Sequence, residues 1–590
     1  MSGVLGYWGF ESRAQELFAR CLKGTPSPRV QSFASKPSAN GLGEPVVSAV
    51  GCWGNHSFLE RAASGEALLA SLSASGIPAD VDISIEADSD SLRLWRESFG
   101  RATLYWTRLN SVIWFSSRLR VLLSILETAE VSAAGLYGYG CFSFVPAPLT
   151  PVENIFAIPA GSESVWRMSG ISEPGDALFR ETRRINEWRE AENQIADEAE
   201  ATRQLRGLLG EAIHAQLDAL PHGPVGVFLS GGLDSSITAA LLVRAGVPVR
   251  AYTLDFGQYG LSEIPFAEIV AKSLSIPLVK VPATPREIRR AVIRTAGALD
   301  APFGDGVTAP LFLLGEAASH DTAVVFNGEG GDQLFGGWTN KPLIASSVYH
   351  DHHPGAGEFA REYMRTFHRL HGYEQSVYTE RLQDVIALLD PFEWLAEALD
   401  ESFTRSLLHR LRRANLMIKG AQNIQPRATA LALTHGLMVR TPFCGRPLTQ
   451  WTFRLSGELC LRGPCEKYLL KRAVEDWLPP EVVWREKRGM GAPLTAWCLG
   501  PLWRAIGEWL KPDTLEDEGR FQPDLALRTA LGDLSGHVQG RRIGEILWLL
   551  LMWEAWRKTL LKEEFKPSNY NPFWLPPRWL QWRLRGRESP

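Results

Sequence analysis

The segment Val225–Ala245 constrains this chain more than any other stretch of it. An apolar run, Val225–Leu229, stops abruptly at Ser230-Gly231-Gly232-Leu233-Asp234-Ser235, and a stretch of helical composition, Ile237–Ala245, follows. That order predicts a strand, a tight turn of small residues, and a helix entered at its N-terminus. Glycines let backbone N–H groups approach an anion closely, and a helix N-terminus adds the positive end of its dipole. Ser230 and Ser235 add hydroxyl donors. Asp234 repels a phosphate unless a divalent cation stands between them. The turn is therefore expected to hold pyrophosphate with Mg2+. It lacks the Gly-Lys-Ser/Thr ending of a Walker A loop. An ordinary glycine-rich turn is the blander reading, and the specificity of the string weighs against it.

Downstream, strand-like runs alternate with helical ones: Val225–Leu229, Val249–Leu254, Leu278–Val281 and Ala323–Phe326. Such alternation predicts a doubly wound parallel sheet, whose strand C-terminal ends converge on a ligand crevice. Leu254, ending the second run, is placed to lie against an adenine ring. The fourth run opens into a second glycine-rich block, Asn327-Gly328-Glu329-Gly330-Gly331-Asp332-Gln333-Leu334-Phe335-Gly336-Gly337. Asp332 is the natural second carboxylate for Mg2+, and Glu329 is placed to orient a nucleophile or take its proton. Asp300-Ala-Pro-Phe-Gly-Asp305 is a further acidic turn in the same region. A third block, Trp484–Pro493, sets Lys487 and Arg488 beside glycines, which suits charge stabilisation over polyphosphate.

The rest of the chain sets limits. Its 590 residues suffice for two to four domains. A net charge of −4 gives no reason to expect a nucleic-acid partner. Seven cysteines with no CxxC spacing fit a reduced, cytoplasmic compartment. No signal-peptide pattern is seen, and the apolar run Ile546–Trp553 is too short to span a bilayer, so a buried helix is expected there. The 21 tryptophans suggest aromatic-lined surfaces. Residues 1–165 are β-rich, with strands expected at Ala102–Thr107, Val112–Ser116 and Cys141–Val145 and a loop at Gly24–Glu44. Residues 176–220 read as a charged linking helix, and 360–560 as mostly helical. His350-Asp351-His352-His353 lacks helical metal-ligand spacing and is expected in an exposed loop rather than a zinc site.

The three glycine-rich blocks, in this order, resemble the synthetase domain of asparagine synthetases and their relatives, the β-lactam synthetases and lasso-peptide cyclases. The likeness runs over roughly residues 200–510 and includes Val439-Arg-Thr-Pro-Phe443, Glu466-Lys467 and Trp484-Arg-Glu-Lys487. Gln333 replaces the family's second Glu, and Cys444-Gly445 stands where Leu-Asp is usual. Glutamine-hydrolysing relatives begin Met-Cys-Gly-Ile, whereas this chain begins Met1-Ser2-Gly3-Val4. A hydroxyl is a far poorer nucleophile than a thiolate near neutral pH.

The resemblance implies an α/β fold in four parts: a glutaminase-like αββα domain without its cysteine (1–170), a helical linker (171–220), a doubly wound ATP-pyrophosphatase domain with a helical extension (221–560), and a basic, Trp- and Pro-rich tail (561–590). It implies an ATP- and Mg2+-dependent amide ligase that forms AMP and pyrophosphate. Asp234 and Asp332 would hold Mg2+; Ser230, Gly231, Gly232 and Ser235 the pyrophosphate; Leu229, Leu254, Asn327 and Gly328 would border the nucleoside; Lys487 and Glu329 would act in catalysis. The string Lys419–Arg427 looks closest to the lasso-cyclase branch. The expected substrate is thus a carboxylate on a precursor peptide, with leader-binding and protease proteins as partners. Asparagine synthesis from ammonia or glutamine is the alternative, and a non-catalytic nucleotide-binding scaffold the alternative from another class.

Overall fold

The computed structural model describes residues 2–9, 14–23, 25–34, 47–54, 57–61, 67–168, 178–185, 188–260, 263–337, 356–367, 369–486, 491–534, 540–562 and 571–577. Lys487, Arg488, His350–His353 and most of the C-terminal tail lie outside these residues.

The N-terminal region is built on two six-stranded antiparallel sheets. At the centre of the first is β1 (Gly3–Gly9), buried along its whole length between β3 (Val47–Trp53) and β9 (Val112–Ser116). A strand covered on both faces must be apolar on both, and Val-Leu-Gly-Tyr-Trp is. One face carries Val4 and Trp8 into a core shared with Leu72, Ile83 and Leu94 of the second sheet. The other turns Tyr7 towards Phe18 of helix α1 (Ala14–Leu22), ring centroids 5.3 Å apart. Helix α2 (Leu119–Leu123) covers the same side.

Three expectations fail here. Cys141–Val145 is not a strand: Cys141 and Phe142 end helix α3 (Ala133–Phe142), which Ser132 caps through Gly135 N–H and Ser143 terminates in the left-handed region. The segment is buried all round in a cluster, and an apolar run that short does not distinguish strand from helix. The supposed linking helix also begins late. Leu178–Arg184 is an edge strand paired with Ser162–Met168, and the helix α4 (Glu198–His214) starts only where Asp197 caps Glu200 N–H. The expected loop at 24–44 likewise contributes a strand, Arg29–Ala34, laid against β3.

The second region holds a five-stranded all-parallel sheet: β13 (Val225–Phe228), β14 (Val249–Asp255), β15 (Leu278–Pro282), β16 (Val324–Phe326) and β17 (Met438–Arg440), in the order β15-β14-β13-β16-β17. Helices α4, α5 (Leu233–Arg244) and α6 (Ile264–Ser273) share a core with one face, and α7 (Pro285–Ala298) and α8 (Thr308–Ala318) with the other. The order reverses between β13 and β16, so the loops after these two strands flank the switch-point crevice. Ile546–Trp553 lies within the buried helix Gly540–Leu560, and no helix among the described residues is long and apolar enough to cross a membrane. Tryptophan serves the interior more than surfaces: Trp8, Trp114, Trp166, Trp497, Trp548, Trp553 and Trp556 are fully buried.

Arginines join the two regions. Arg440, at the end of β17, donates from Nε to the Ser75 carbonyl at 3.2 Å, and Val439 N–H donates to Ala74 O at 3.0 Å. Asp300 receives both Arg118 (2.6 Å) and Arg120 (2.7 Å), which makes it an inter-region staple rather than a site residue.

Candidate active site

The turn after β13 is organised by its own serines. Ser230 Oγ and Ser235 Oγ lie 3.2 Å apart, Gly232 N–H donates to Ser230 Oγ (3.3 Å), and Ser235 Oγ donates to Gly232 O (3.1 Å). Gly231 adopts φ +71°, and among the described residues no side chain caps the N-terminus of α5. The first amides of that helix are therefore left to an incoming anion.

The second loop closes onto the first. A Cβ at Gly331 would come within 2.5 Å of Asp234 Oδ1, and one at Gly337 would collide with Lys467 Cε. Only hydrogen at these two positions lets the acidic side chains and the lysine share one space.

Lys467 is the residue that the sequence named without a role. Its ammonium lies 2.5 Å from Asp234 Oδ2 and 2.5 Å from Asp332 Oδ1, with only 3% of its side chain exposed. Burial by itself would lower its pKa. The two carboxylates outweigh that and hold it above the ordinary lysine value. It sits at φ +53°, the residue before helix Tyr468–Val474. The two aspartates assigned to a cation thus already share one in the protein's own side chain.

These loops border a cavity of about 400 Å3. Of the residues assigned from sequence, Leu229, Ser230, Gly232, Asp234, Ser235, Leu254, Asn327, Gly328, Glu329 and Asp332 line it. Gly231 contributes its carbonyl, which accepts from Arg485 Nη1 at 3.4 Å. Asn327 Oδ1 accepts from Glu329 N–H (3.1 Å) and shapes the second turn. Lys487 lies outside the described residues. Its neighbour Arg485 reaches the cavity wall, paired with Glu263 at 3.0 Å and stacked over Phe266. Arg485, Lys419, Arg427, Lys467 and Lys471 line the cavity without having been singled out as site residues. The available signal was proximity to family motifs, which names neighbours but not which side chain points inward. Cys444, the departure from the usual Leu-Asp, is buried against Gln425 Nε2 (3.0 Å), and burial pushes its thiol up to about 12.

Two glycine-rich acidic loops at the switch point of a parallel sheet, closing over one cavity, define a nucleotide-using α/β enzyme. The sequence matches the asparagine synthase family over residues 204–558. Asparagine synthetase [glutamine-hydrolyzing] 1 of Bacillus subtilis is 23% identical over 498 residues, covering 80% of this chain and 76% of the relative. A putative asparagine synthetase [glutamine-hydrolyzing] of Mycobacterium bovis is 24% identical over 512 residues, covering 81% and 76%. The chain belongs to the asparagine synthase family. It is a ligase that forms carbon–nitrogen bonds at the expense of ATP.

Proposed function

We propose that this ligase activates a side-chain carboxylate of a peptide as its adenylate and closes a macrolactam with an amine of the same peptide. The observation that carries the ligase chemistry is Asp234, Asp332 and Lys467 gathered beside the serine–glycine turn at the strand ends. Two carboxylates next to a phosphate cradle fit Mg2+, which takes one or two carboxylates and completes its shell with phosphate oxygens and water. Bound there, Mg2+ would offset phosphate charge as pyrophosphate leaves. Ser230, Gly232 and Ser235 hold the pyrophosphate, Leu229 and Leu254 border the nucleoside, and Glu329 accepts the proton of the attacking amine. Lys487 keeps its sequence-based assignment to the adenylation step.

The choice of an intramolecular amine rests on the N-terminal sheets. Ser2 stands at the head of β1 where the glutamine-hydrolysing pattern has cysteine, and it is buried. Cys52 on β3, opposite Val4, is no substitute nucleophile, since burial pushes its thiol up to about 12. Without released ammonia, a tethered amine gains from effective molarity once the site has folded the peptide. Purified protein is therefore expected to release no glutamate from glutamine, and Ser2→Ala to leave ligation nearly unchanged. Glutaminase activity that vanishes in Ser2→Ala would overturn this part.

The relatives' names favour a second reading, asparagine formation from aspartate. One assay separates them. With ATP, a peptide bearing Asp or Glu and a free N-terminal amine should lose the mass of one water and gain no nitrogen, while aspartate plus ammonia yields little asparagine. Efficient asparagine formation, with no peptide cyclised across a panel of acidic peptides, favours the second reading. Precursor-peptide handling by leader-binding or protease partners belongs to the first.

A further inference from the structure

Four of the five described cations that line the cavity are matched by carboxylates: Arg427 by Asp305, Lys467 by Asp234 and Asp332, Lys471 by Glu466, and Arg485 by Glu263. Lys419 differs. Among the described residues its ammonium has no ion pair; it lies 5.0 Å from the ring centre of Phe367 and 5.9 Å from that of Tyr363. Aromatic faces position an ammonium but leave its charge formally unmatched. Burial and the nearby Arg369 lower its pKa to about 8, against the pull of Asp332, so the charged form gains from any anion brought to it.

The backbone beneath Lys419 is unusual as well. Asn415–Ile424 is π-helical, a form found mostly as single turns and often at functional sites. One side of this turn, with Asn415, Lys419 and Ile424, lines the active-site cavity. Its other side, with Met417, Ile418, Ala421 and Gln422, lines a separate cavity of about 360 Å3 against the N-terminal sheets. The N-terminal region holds the turn in place: Ala147 N–H donates to Gln422 Oε1 (2.8 Å), and Gly100 packs so closely on the Ala421 carbonyl that no side chain would fit. The N-terminal region thus buttresses the wall that presents Lys419.

On the adenylating reading two anions meet in this cavity. A carboxylate must approach the α-phosphorus of ATP, and both are anionic, while Lys467 is already shared by two aspartates. We propose that Lys419 binds the reacting carboxylate of the substrate and then the acyl oxygen derived from it. In the first step a carboxylate oxygen bonds to the α-phosphorus and the bond to the bridging oxygen breaks, which releases pyrophosphate. In the second the amine nitrogen bonds to the acyl carbon, the acyl–oxygen bond breaks, AMP leaves with the electron pair, and the amine proton passes to Glu329. This assignment rests on the adenylating reading of the site.

The test is calorimetric, on the full chain with Mg2+, with two probes: AMP, and a sulfamoyl-adenosine acylated through the side-chain carboxyl of N-acetyl-aspartate. The parent is expected to bind the acylated probe at least about tenfold more tightly than AMP, as a charge-assisted contact warrants. Lys419→Met should lose about tenfold on the acylated probe and no more than about twofold on AMP, and Lys419→Arg should recover most of the loss. AMP affinity reports that the variants are folded. If Lys419→Met weakens both probes alike, or neither, Lys419 does not hold the acyl group. If the parent itself does not distinguish the probes, the adenylating reading falls and the assignment with it.

Discussion

Asp234→Asn is expected to slow AMP formation by about 10²-fold or more, the scale on which one preorganised charge contact acts in a transition state. Asp234 sits in the first turn of α5, beside the amides that face the pyrophosphate, and its Oδ2 lies 2.5 Å from Lys467. Asparagine fills the same volume and leaves Lys467 paired with Asp332, so the fold and the loop geometry should persist. What disappears is the charge of one of the two carboxylates available to Mg2+. The variant should therefore need more Mg2+ for half-maximal rate, while the products remain AMP and pyrophosphate. Detection of ADP and phosphate as products, in the parent or the variant, would reject the assignment of this loop.

Lys467→Met should be costlier to the molecule as a whole. It takes from two carboxylates the ammonium that they share, in a site where the lysine side chain is only 3% exposed. Removing one partner of a buried ion pair strands the other, and about 3 kcal/mol of destabilisation is expected. The low end of the range applies because 32% of the Asp332 side chain remains in solvent. The sign of the pH dependence follows from the raised lysine pKa. The lysine's part of the ion-pair contribution is whole below the unfolded value of 10.5 and is lost as pH rises through the higher folded value. The difference in melting temperature between parent and variant should thus be flat across neutral pH. Mg2+ without nucleotide should raise the melting temperature of Lys467→Met and leave the parent nearly unchanged. A variant as stable as the parent, or one indifferent to Mg2+, would show that the aspartates do not depend on Lys467 for charge balance.

Local pattern was enough for four of the five strands of the parallel sheet, but not for β17, which lies in the stretch expected to be mostly helical. Val225–Leu229, Val249–Leu254, Leu278–Val281 and Ala323–Phe326 each fall within one residue of β13, β14, β15 and β16 at either end. Buried parallel strands are short apolar runs, and glycine-rich turns mark the ends of β13 and β16. The same logic failed at Cys141–Val145, where burial on all sides erases the periodicity that separates strand from helix. It failed at Leu178–Arg184, a charged edge strand whose partner, not its composition, makes it a strand.

The sequence alone determined which chemical groups stand at the strand ends: the serine and glycine donors after β13 and the acidic pair Asp234 and Asp332, because strand–turn–helix geometry is local and strand ends converge in this topology. Only the tertiary structure decided what balances their charge. Lys467 is 233 residues from Asp234 along the chain, and nothing in the spacing of either marks the other as its partner. Lys419 depended on still more, since a π-helical turn, two aromatic rings and a buttress from the N-terminal sheets together set where its ammonium lies. Chain-local rules fix the backbone around each motif. The electrostatic pairing of a site is a property of distances between motifs, and these exist only once the chain has folded.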